Sequence, residues 1–408
     1  MEEIEVPNYF LCPISLQIMK DPVTVPSGIT YDRPSIETWL FSTKNASCPI
    51  TKLPIPADSD SLTPNHTLRR LIQAWCTLHS HHGIERFPTP KPPINKPQIH
   101  KLISSSSSTP SSLLSCIRRL RSLAAESESN RRCIESAGAP EFLASVIINS
   151  ISDNDNETAL ISCHEALSTL HNLRLSDSKL KSLTVNAELF DSLTKVMEQG
   201  TYESRAYAAL LLKSLLEVAD PMELTFLKSE LFVEIVGILK DQTSQQSLKA
   251  ALGILITACT WGRNKVKAVE AGGVVALVEI LLSGPERRVS EMALTAMDLL
   301  CGCAEGRAAL LGHGGGMAVV SKKILRVSQV GSERAVRILF SVAKYSGSPA
   351  VLTEMAQLGI VAKLCLVLQV ESGSKTKEKA KEILKMHARV WRNSACIPSK
   401  LASSYPAN

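Results

Sequence analysis

Cysteines and histidines are the residues of this 408-residue chain best able to bind a metal or attack a carbonyl, and their spacing denies them most of that chemistry. Cys12 and Cys48 each stand directly before a proline in an apolar loop with no partnered histidine, so neither is expected to form a thioester. Cys301-Gly302-Cys303 and His79-Ser80-His81-His82 each fall short of four zinc ligands. His313-Gly314-Gly315-Gly316 imitates the oxyanion loop of a hydrolase, yet no G-x-S-x-G accompanies it. Neither a catalytic nucleophile, a resident metal nor a cofactor is therefore expected. The stretch around which the chain is organised instead holds two short apolar loops near the amino terminus.

Phe10 to Leu16 forms the first loop, kept from helix by Pro7 and Pro13 and expected to present apolar side chains outward. The second, Cys48-Pro49-Ile50-Thr51-Lys52-Leu53-Pro54, opens with the same Cys-Pro-Ile. Between them, Val23-Thr24-Val25 and Ile29-Thr30-Tyr31 flank Pro26-Ser27-Gly28 and read as a β-hairpin. Asp32-Arg33-Pro34 reads as a helix start with Ile36, Trp39 and Leu40 on one face. Ile36 and Leu40 supply the inward side, which leaves Trp39 for the surface. Asn65 caps a second helix with the stripe Leu68, Leu71, Ile72 and Trp75, and Trp75 is read as core.

The blocks "CPISLQIMKDPV", "SGITYDR", "CPITKLPI" and "LTPNHTLRRLIQAW" together resemble the U-box of ubiquitin ligases. A RING finger would hold such loops with eight ligands on two zinc ions. Cys12, Cys48, Cys76, His66 and His79 offer no such spacing, so a zinc-bound RING is the weaker reading. The resemblance implies instead that a small core and polar contacts from Asp21, Ser27, Tyr31, Asp32, Thr51 and Asn65 do this work. It also implies that Ile14, Leu16, Trp39 and Pro49 grip a ubiquitin-conjugating enzyme (E2). Lys52 then matches a cation, often arginine, that touches both the E2 and ubiquitin, although lysine lacks the bidentate fork.

Hydrophobic residues make up 44% of the chain and aromatics 4%, which favours an aliphatic core between packed helices. A net charge of +6 is interspersed with acids, so nucleic acid is not an expected partner. The acidic start Met1-Glu2-Glu3-Ile4-Glu5 has no apolar signal region, and no stretch reaches the ~18 apolar residues of a membrane span. Scattered cysteines within apolar helical patterns suit buried thiols in a reducing compartment, so the cytoplasm is the expected location, with membrane-peripheral or nuclear association left open.

Four segments are expected: a U-box over 5–80, a Pro/Ser-rich linker over 84–112, helical repeats over 113–393 and a flexible tail over 394–408. Taken at Glu188, Glu230, Gly272, Gly314 and Gly359, small or polar turns before amphipathic helices recur at 42 residues three times and then 45. That period matches armadillo or HEAT units of two or three helices. Ser152 to Asn156 is expected to be a surface insertion. The closing helix, about Lys375 to Trp391, has Lys375, Lys377, Lys379, Lys381 and Lys385 outside, with Ile383, Leu384, Met386 and Val390 inside, as a terminal cap.

The expected fold is thus mainly α: a small α+β zinc-free RING-like module followed by an α-solenoid. As a whole the chain resembles the plant U-box/armadillo ubiquitin ligases, and "RAALLGHGGGMAVVSKKILRVS" and "KEKAKEILKMHARVW" resemble the branch linked to pathogen-triggered immune signalling. The resemblance implies an E3 ubiquitin ligase without a covalent ubiquitin intermediate, with E2, ubiquitin and a protein substrate held on the armadillo groove as partners. A homo-oligomer stays open. The alternative is a non-catalytic armadillo adaptor whose U-box serves dimerisation.

Overall fold

A computed structural model describes residues 5–42, 47–56, 62–80, 84, 94–152, 157–242, 244–391 and 405. It forms two compact units, residues 1–146 with 157–175, and residues 147–156 with 176–408.

The first unit begins with a three-stranded antiparallel sheet in the order β2-β1-β3. β1 (Pro22–Thr24) pairs with β2 (Thr30–Asp32) in the register Val23 to Tyr31, as the hairpin reading requires. Gly28 closes the connection at φ +84°, which an L side chain rarely adopts. β3 (Thr63–Pro64) adds a short third strand on β1. α1 (Arg33–Glu37) has proline in its first turn and runs into a π-helical turn over Thr38–Ser42. α2 (His66–Leu78) is capped by Asn65, whose Oδ1 accepts the Leu68 N–H at 3.0 Å.

Phe10, Met19, Val23, Tyr31, Ile36 and Ile72 pack a core with the two loop cysteines, and Trp39 and Trp75 lean on its rim. Two readings of side-chain direction change. Phe10 points inward, because the preceding 3₁₀ turn (Asn8–Phe10) rotates it under α2 against Trp75. Leu71 is 53% exposed, since the buried face of α2 runs through Ile72 and Cys76.

The Pro/Ser-rich segment contains ordered structure. α3 (Lys96–Ser104) starts from the capping box of Asn95 and Gln98 and buries Ile99 completely. The serine run Ser105–Ser108 is a 3₁₀ turn. Three long helices follow in this unit and at its edge: α4 (Pro110–Glu126), α6 (Ala139–Ser152) and α7 (Glu157–Leu173), with the short α5 (Glu128–Ser136) after α4. The insertion over 153–156 lies outside the described residues.

The second unit is built of three-helix repeats. α8 (Asp177–Thr184), α9 (Ala187–Gln199) and α10 (Tyr202–Val218) make one. α11 (Pro221–Thr225), α12 (Ser229–Asp241) and α13 (Gln245–Ala258) make the next. α14 (Asn264–Glu270), α15 (Gly273–Leu282) and α16 (Arg287–Leu300) follow. α17 (Ala304–Gly312), α18 (Gly316–Lys323) and α19 (Gln329–Ser346) precede α20 (Pro349–Gln357), α21 (Ile360–Gln369) and α22 (Ser374–Met386).

The long third helices α10, α13, α16, α19 and α22 stack in sequence. Buried Asn264 stitches adjacent repeats: its Nδ2 donates to the carbonyls of Leu224 and Ala258 at 2.6 and 3.0 Å. His313 to Gly316 falls in the turn between α17 and α18, and His313 Nε2 meets Glu279 at 3.1 Å. Cys301 is buried at the end of α16, while Cys303 caps α17 by accepting the Gly306 N–H.

The cap differs from its sequence reading in one respect. Ile383 and Leu384 are buried, but Met386 and Val390 are exposed because the helix breaks at His387. The short α23 (Ala388–Trp391) then turns Trp391 inward, fully buried, with Nε1 donating to the Leu352 carbonyl at 3.0 Å. Of the tail from 394 onward, Tyr405 alone is described; its hydroxyl donates to the Leu384 carbonyl at 2.6 Å. No single helix among the described residues is long and apolar enough to cross a membrane.

Candidate functional site

The two Cys-Pro-Ile loops are two copies of one turn. In the first, the Cys12 N–H donates to the Gln17 carbonyl and the Leu16 N–H to the Cys12 carbonyl, both at 2.8 Å. In the second, the Cys48 N–H donates to the Leu53 carbonyl at 2.8 Å and the Lys52 N–H to the Cys48 carbonyl at 3.0 Å. Bridges from Leu11 to Ile18 and from Ser47 to Pro54 close the two necks. Leu16 and Lys52 therefore hold equivalent positions, and both are left-handed, with φ 57° and 59°. Neither is a glycine, so each loop carries roughly 1 kcal/mol of backbone strain.

Polar networks hold each turn from behind. Asp32 accepts the backbone N–H groups of Lys20 and Asp21 at 2.9 and 2.8 Å, and its own N–H points at the Cys12 sulfur at 3.3 Å. Asp21 takes Arg33 Nε at 2.6 Å and Arg69 at 3.5 Å. Around the second turn, the Ser27 hydroxyl donates to the Cys48 sulfur at 3.2 Å, and the Tyr31 hydroxyl lies 3.0 Å from it. Burial alone raises the Cys48 thiol, but the hydroxyls of Ser27, Thr51 and Tyr31 outweigh it and bring the thiol down to about 6. Burial, with the bond to Cys48, pushes the Tyr31 phenol up. Among the described residues no three His, Cys, Asp or Glu side chains converge as a metal site. The networks engage Asp21, Ser27, Tyr31, Asp32, Thr51 and Asn65, the last also donating to Thr24 Oγ1 at 3.4 Å.

Sequence reasoning missed the partners Arg33 and Arg69. A buried arginine next to a proline-started helix, with an acid in the preceding strand, is the signal that could have found Arg33.

In front of the networks the turns present an apolar surface. Leu16 is 75% exposed, and Ile50 and Leu53 about half exposed. Ile14 and Pro49 are half-buried at the same turns. Trp39 is also half-buried rather than free: its indole N–H donates to the Ser47 carbonyl at 2.8 Å, which ties α1 to the second loop. Lys52 is exposed, its ammonium 5.9 Å from the centre of the Trp39 ring. Trp75 belongs to the rim of the core, stacked 4.5 Å from His79.

Residues 6–81 match the U-box domain, and residues 98–407 match the plant U-box protein ARM repeat region. The chain belongs to the plant U-box ubiquitin ligases with armadillo repeats. It is 55% identical to E3 ubiquitin-protein ligase PUB22 of Arabidopsis thaliana over the full length of both chains. Identity to E3 ubiquitin-protein ligase PUB23 of the same plant is 56%, covering 99% of this chain and 98% of the relative. In fold it is similar to a chain solved in work on the interaction between cadherin and beta-catenin. That match has a TM-score of 0.64 at 16% identity and covers 84% of this chain and 62% of the other. The plant U-box ligases thus account for both halves of the chain, and the repeat unit is the three-helix armadillo form.

A further contact concerns the back of the U-box helix. Glu37 is buried, 3.7 Å from Arg33, where α1 packs on α5 near Ser129. Arg132 of α5 stacks its guanidinium 3.6 Å from the Phe41 ring centre. Burial raises the Glu37 carboxyl above its ordinary value, and the Arg33 charge only partly offsets this.

Proposed function

We propose that the paired Cys-Pro-Ile turns are the surface through which this E3 ubiquitin ligase recruits its charged E2, with Ile14, Leu16, Trp39 and Pro49 as the apolar contacts. The ligase acts as a U-box transferase, so its chemistry is positioning: the E2 thioester is held for attack by a substrate lysine, and no nucleophile of the ligase is needed. Lys52 is the cation placed to touch E2 and ubiquitin together. The observation that carries this reading is Leu16, a large apolar side chain kept exposed on a strained left-handed backbone. A small interface of apolar anchors around one aromatic is what a transient E2 contact requires.

The test is a reconstituted ubiquitination assay with wild type, Ile14→Ala and Trp39→Ala. Folding should be retained and transfer should fall at least tenfold in both variants; equal activity in all three refutes the surface.

We further propose that the stacked third helices of the armadillo repeats hold the protein substrate, and that the ligase works in the cytoplasm in plant defence signalling. The full-length similarity to PUB22 and PUB23 and the resemblance in the repeats support this reading. Proximity labelling in plant cells, with the Trp39 variant as control, tests substrate and compartment together. Self-association through the U-box is checked by light scattering of the purified chain.

A further inference from the structure

Two cavities run along the edge where the second helix of a repeat turns into the third. The first, of about 260 Å³, is lined by Arg287 and Ser290 from the start of α16, Lys322 and Lys323 from the end of α18, and Arg326 and Val327 beyond it. The second, of about 230 Å³, shares Arg326 and Val327 and continues past Ser328, Ser332, Ser372 and Glu371. Four cations line the first cavity, and no carboxylate does.

Lysines in a last helical turn ordinarily offset the helix dipole, and this accounts for Lys322 and Lys323 taken singly. It does not account for Arg287 and Arg326, which two other segments bring to the same space. Two carboxylates near the first cavity are already engaged, and Glu371 lies in the second cavity beyond Arg326. Glu291 is shared by Arg287 at 3.2 Å and Arg288 at 3.8 Å, and Glu286 takes Lys249 at 2.5 Å. Lys322, Lys323 and Arg326 form no ion pair among the described residues. Burial, then the charge of Lys322, pulls the Lys323 ammonium below its ordinary value.

The backbone that presents Arg326 is strained. Leu325 is left-handed at φ 58°, and its N–H is held by Ser332 Oγ at 2.9 Å. Ser332 Oγ in turn donates to the Ser328 carbonyl at 2.8 Å. Such a residue persists only where its surroundings fix it. Leu325, 42% exposed, and Val327 supply the apolar lining of the second cavity.

We propose that this edge is a docking site for ubiquitination substrates, taking an extended segment whose phosphoserine or phosphothreonine places its phosphoryl group among Arg287, Lys322, Lys323 and Arg326. A phosphoryl group carries about −1.5 to −2 charge and accepts several charge-assisted hydrogen bonds, which matches a cluster in which Lys322, Lys323 and Arg326 have no ion pair among the described residues and Arg287 shares one with Glu291. The second cavity, with its serine hydroxyls and apolar flanks, receives the adjoining residues of the segment. The cations are largely exposed, but Arg326 joins them to a second cavity lined by Leu325, Val327 and serines, and a side-chain-sized recess beside the charges favours a peptide over a lipid surface. The proposal rests on the reading that the armadillo repeats hold substrate.

The experiment measures fluorescence anisotropy of the full chain with a degenerate peptide library centred on phosphoserine, its unphosphorylated counterpart, and inorganic phosphate as competitor. The phosphorylated library should bind at least tenfold more tightly. Lys323→Glu with Arg326→Glu should abolish that preference, Lys323→Met should weaken it, and Lys375→Glu on α22 should leave it intact. Circular dichroism confirms the fold of each variant. Equal binding of the two libraries, or a preference untouched by the folded double variant, overturns the proposal. Capture by phosphatidylserine vesicles that depends on these cations, without any phosphopeptide preference, assigns the patch to a lipid surface and overturns it too. Trp39→Ala, which disables transfer if the E2 surface is right, should bind the phosphorylated library as wild type does, so failures of the two readings are distinguishable.

Discussion

Leu16 and Lys52 occupy the same left-handed position in two copies of one turn, one offering an apolar side chain and the other a charge. The pair carries its strain where side chains face outward, so stability and function should separate there. Leu16→Gly relieves the left-handed penalty of about 1 kcal/mol and removes the exposed contact. Its denaturation midpoint should not fall, while ubiquitin transfer in the reconstituted assay drops about tenfold.

Lys52 should respond to geometry as well as charge. Lys52→Arg supplies a planar fork and should raise the rate of transfer from a charged E2 by a few fold. Lys52→Glu should lower it at least tenfold with the fold intact. Single-turnover discharge of the E2 thioester reads both.

Asp21 is the shared acid of Arg33 and Arg69, and its removal leaves the largely buried Arg33 guanidinium facing only Glu37. Breaking a buried pair in this way costs about 3 kcal/mol. Asp21→Ala should therefore unfold the U-box well before the repeats, giving an early step in urea denaturation followed by Trp fluorescence.

Glu37 titrates above the ordinary carboxyl range because it is buried at α5. For an acid with a raised folded-state pKa, the stabilising contribution is full below the ordinary value of 4.5 and is lost as pH rises through the raised one. Glu37→Gln should remove that loss, so the variant gains stability relative to wild type as pH climbs from about 4.5 towards 7. Denaturation midpoints of both chains across that window check it.

Cys48 behaves in the opposite sense, since its thiol is brought down to about 6. The ionised sulfur favours the folded U-box above the ordinary value of 9.0, and that contribution fades as pH falls and is gone below about 6. Tyr31→Phe removes one donor and should reduce this pH dependence, with a loss of about 1 kcal/mol at alkaline pH. Urea denaturation between pH 6 and 9 measures it.

Much of this was legible in the sequence because it rests on local rules. The hairpin followed from β-branched runs around Pro26-Ser27-Gly28, the α2 cap from Asn65, and the repeats from the spacing of Glu188, Glu230, Gly272, Gly314 and Gly359. What stayed hidden depends on tertiary partners. Short helices such as α11 and α14 carry too few turns to show a period. Leu71 and Phe10 changed sides because a neighbouring element decided which face was covered. At the candidate site the residue types were readable from the resemblance, but the indole bond to Ser47 that half-buries Trp39 was not, nor was the reuse of one turn at Leu16 and Lys52. Trp391 closes the repeats only because the chain kinks at His387, and nothing in the apolar period of the last helix signals that.

The contacts of Glu37 and Phe41 with α5 carry a consequence for leverage. The helix that presents Trp39 is braced from behind by the start of the repeat region, at Ser129 and Arg132. Arg132 thereby couples the turn that carries Trp39, and with it the proposed E2 surface, to α5. Arg132→Ala would loosen that coupling while the hydrogen bonds that close both Cys-Pro-Ile turns stay in place.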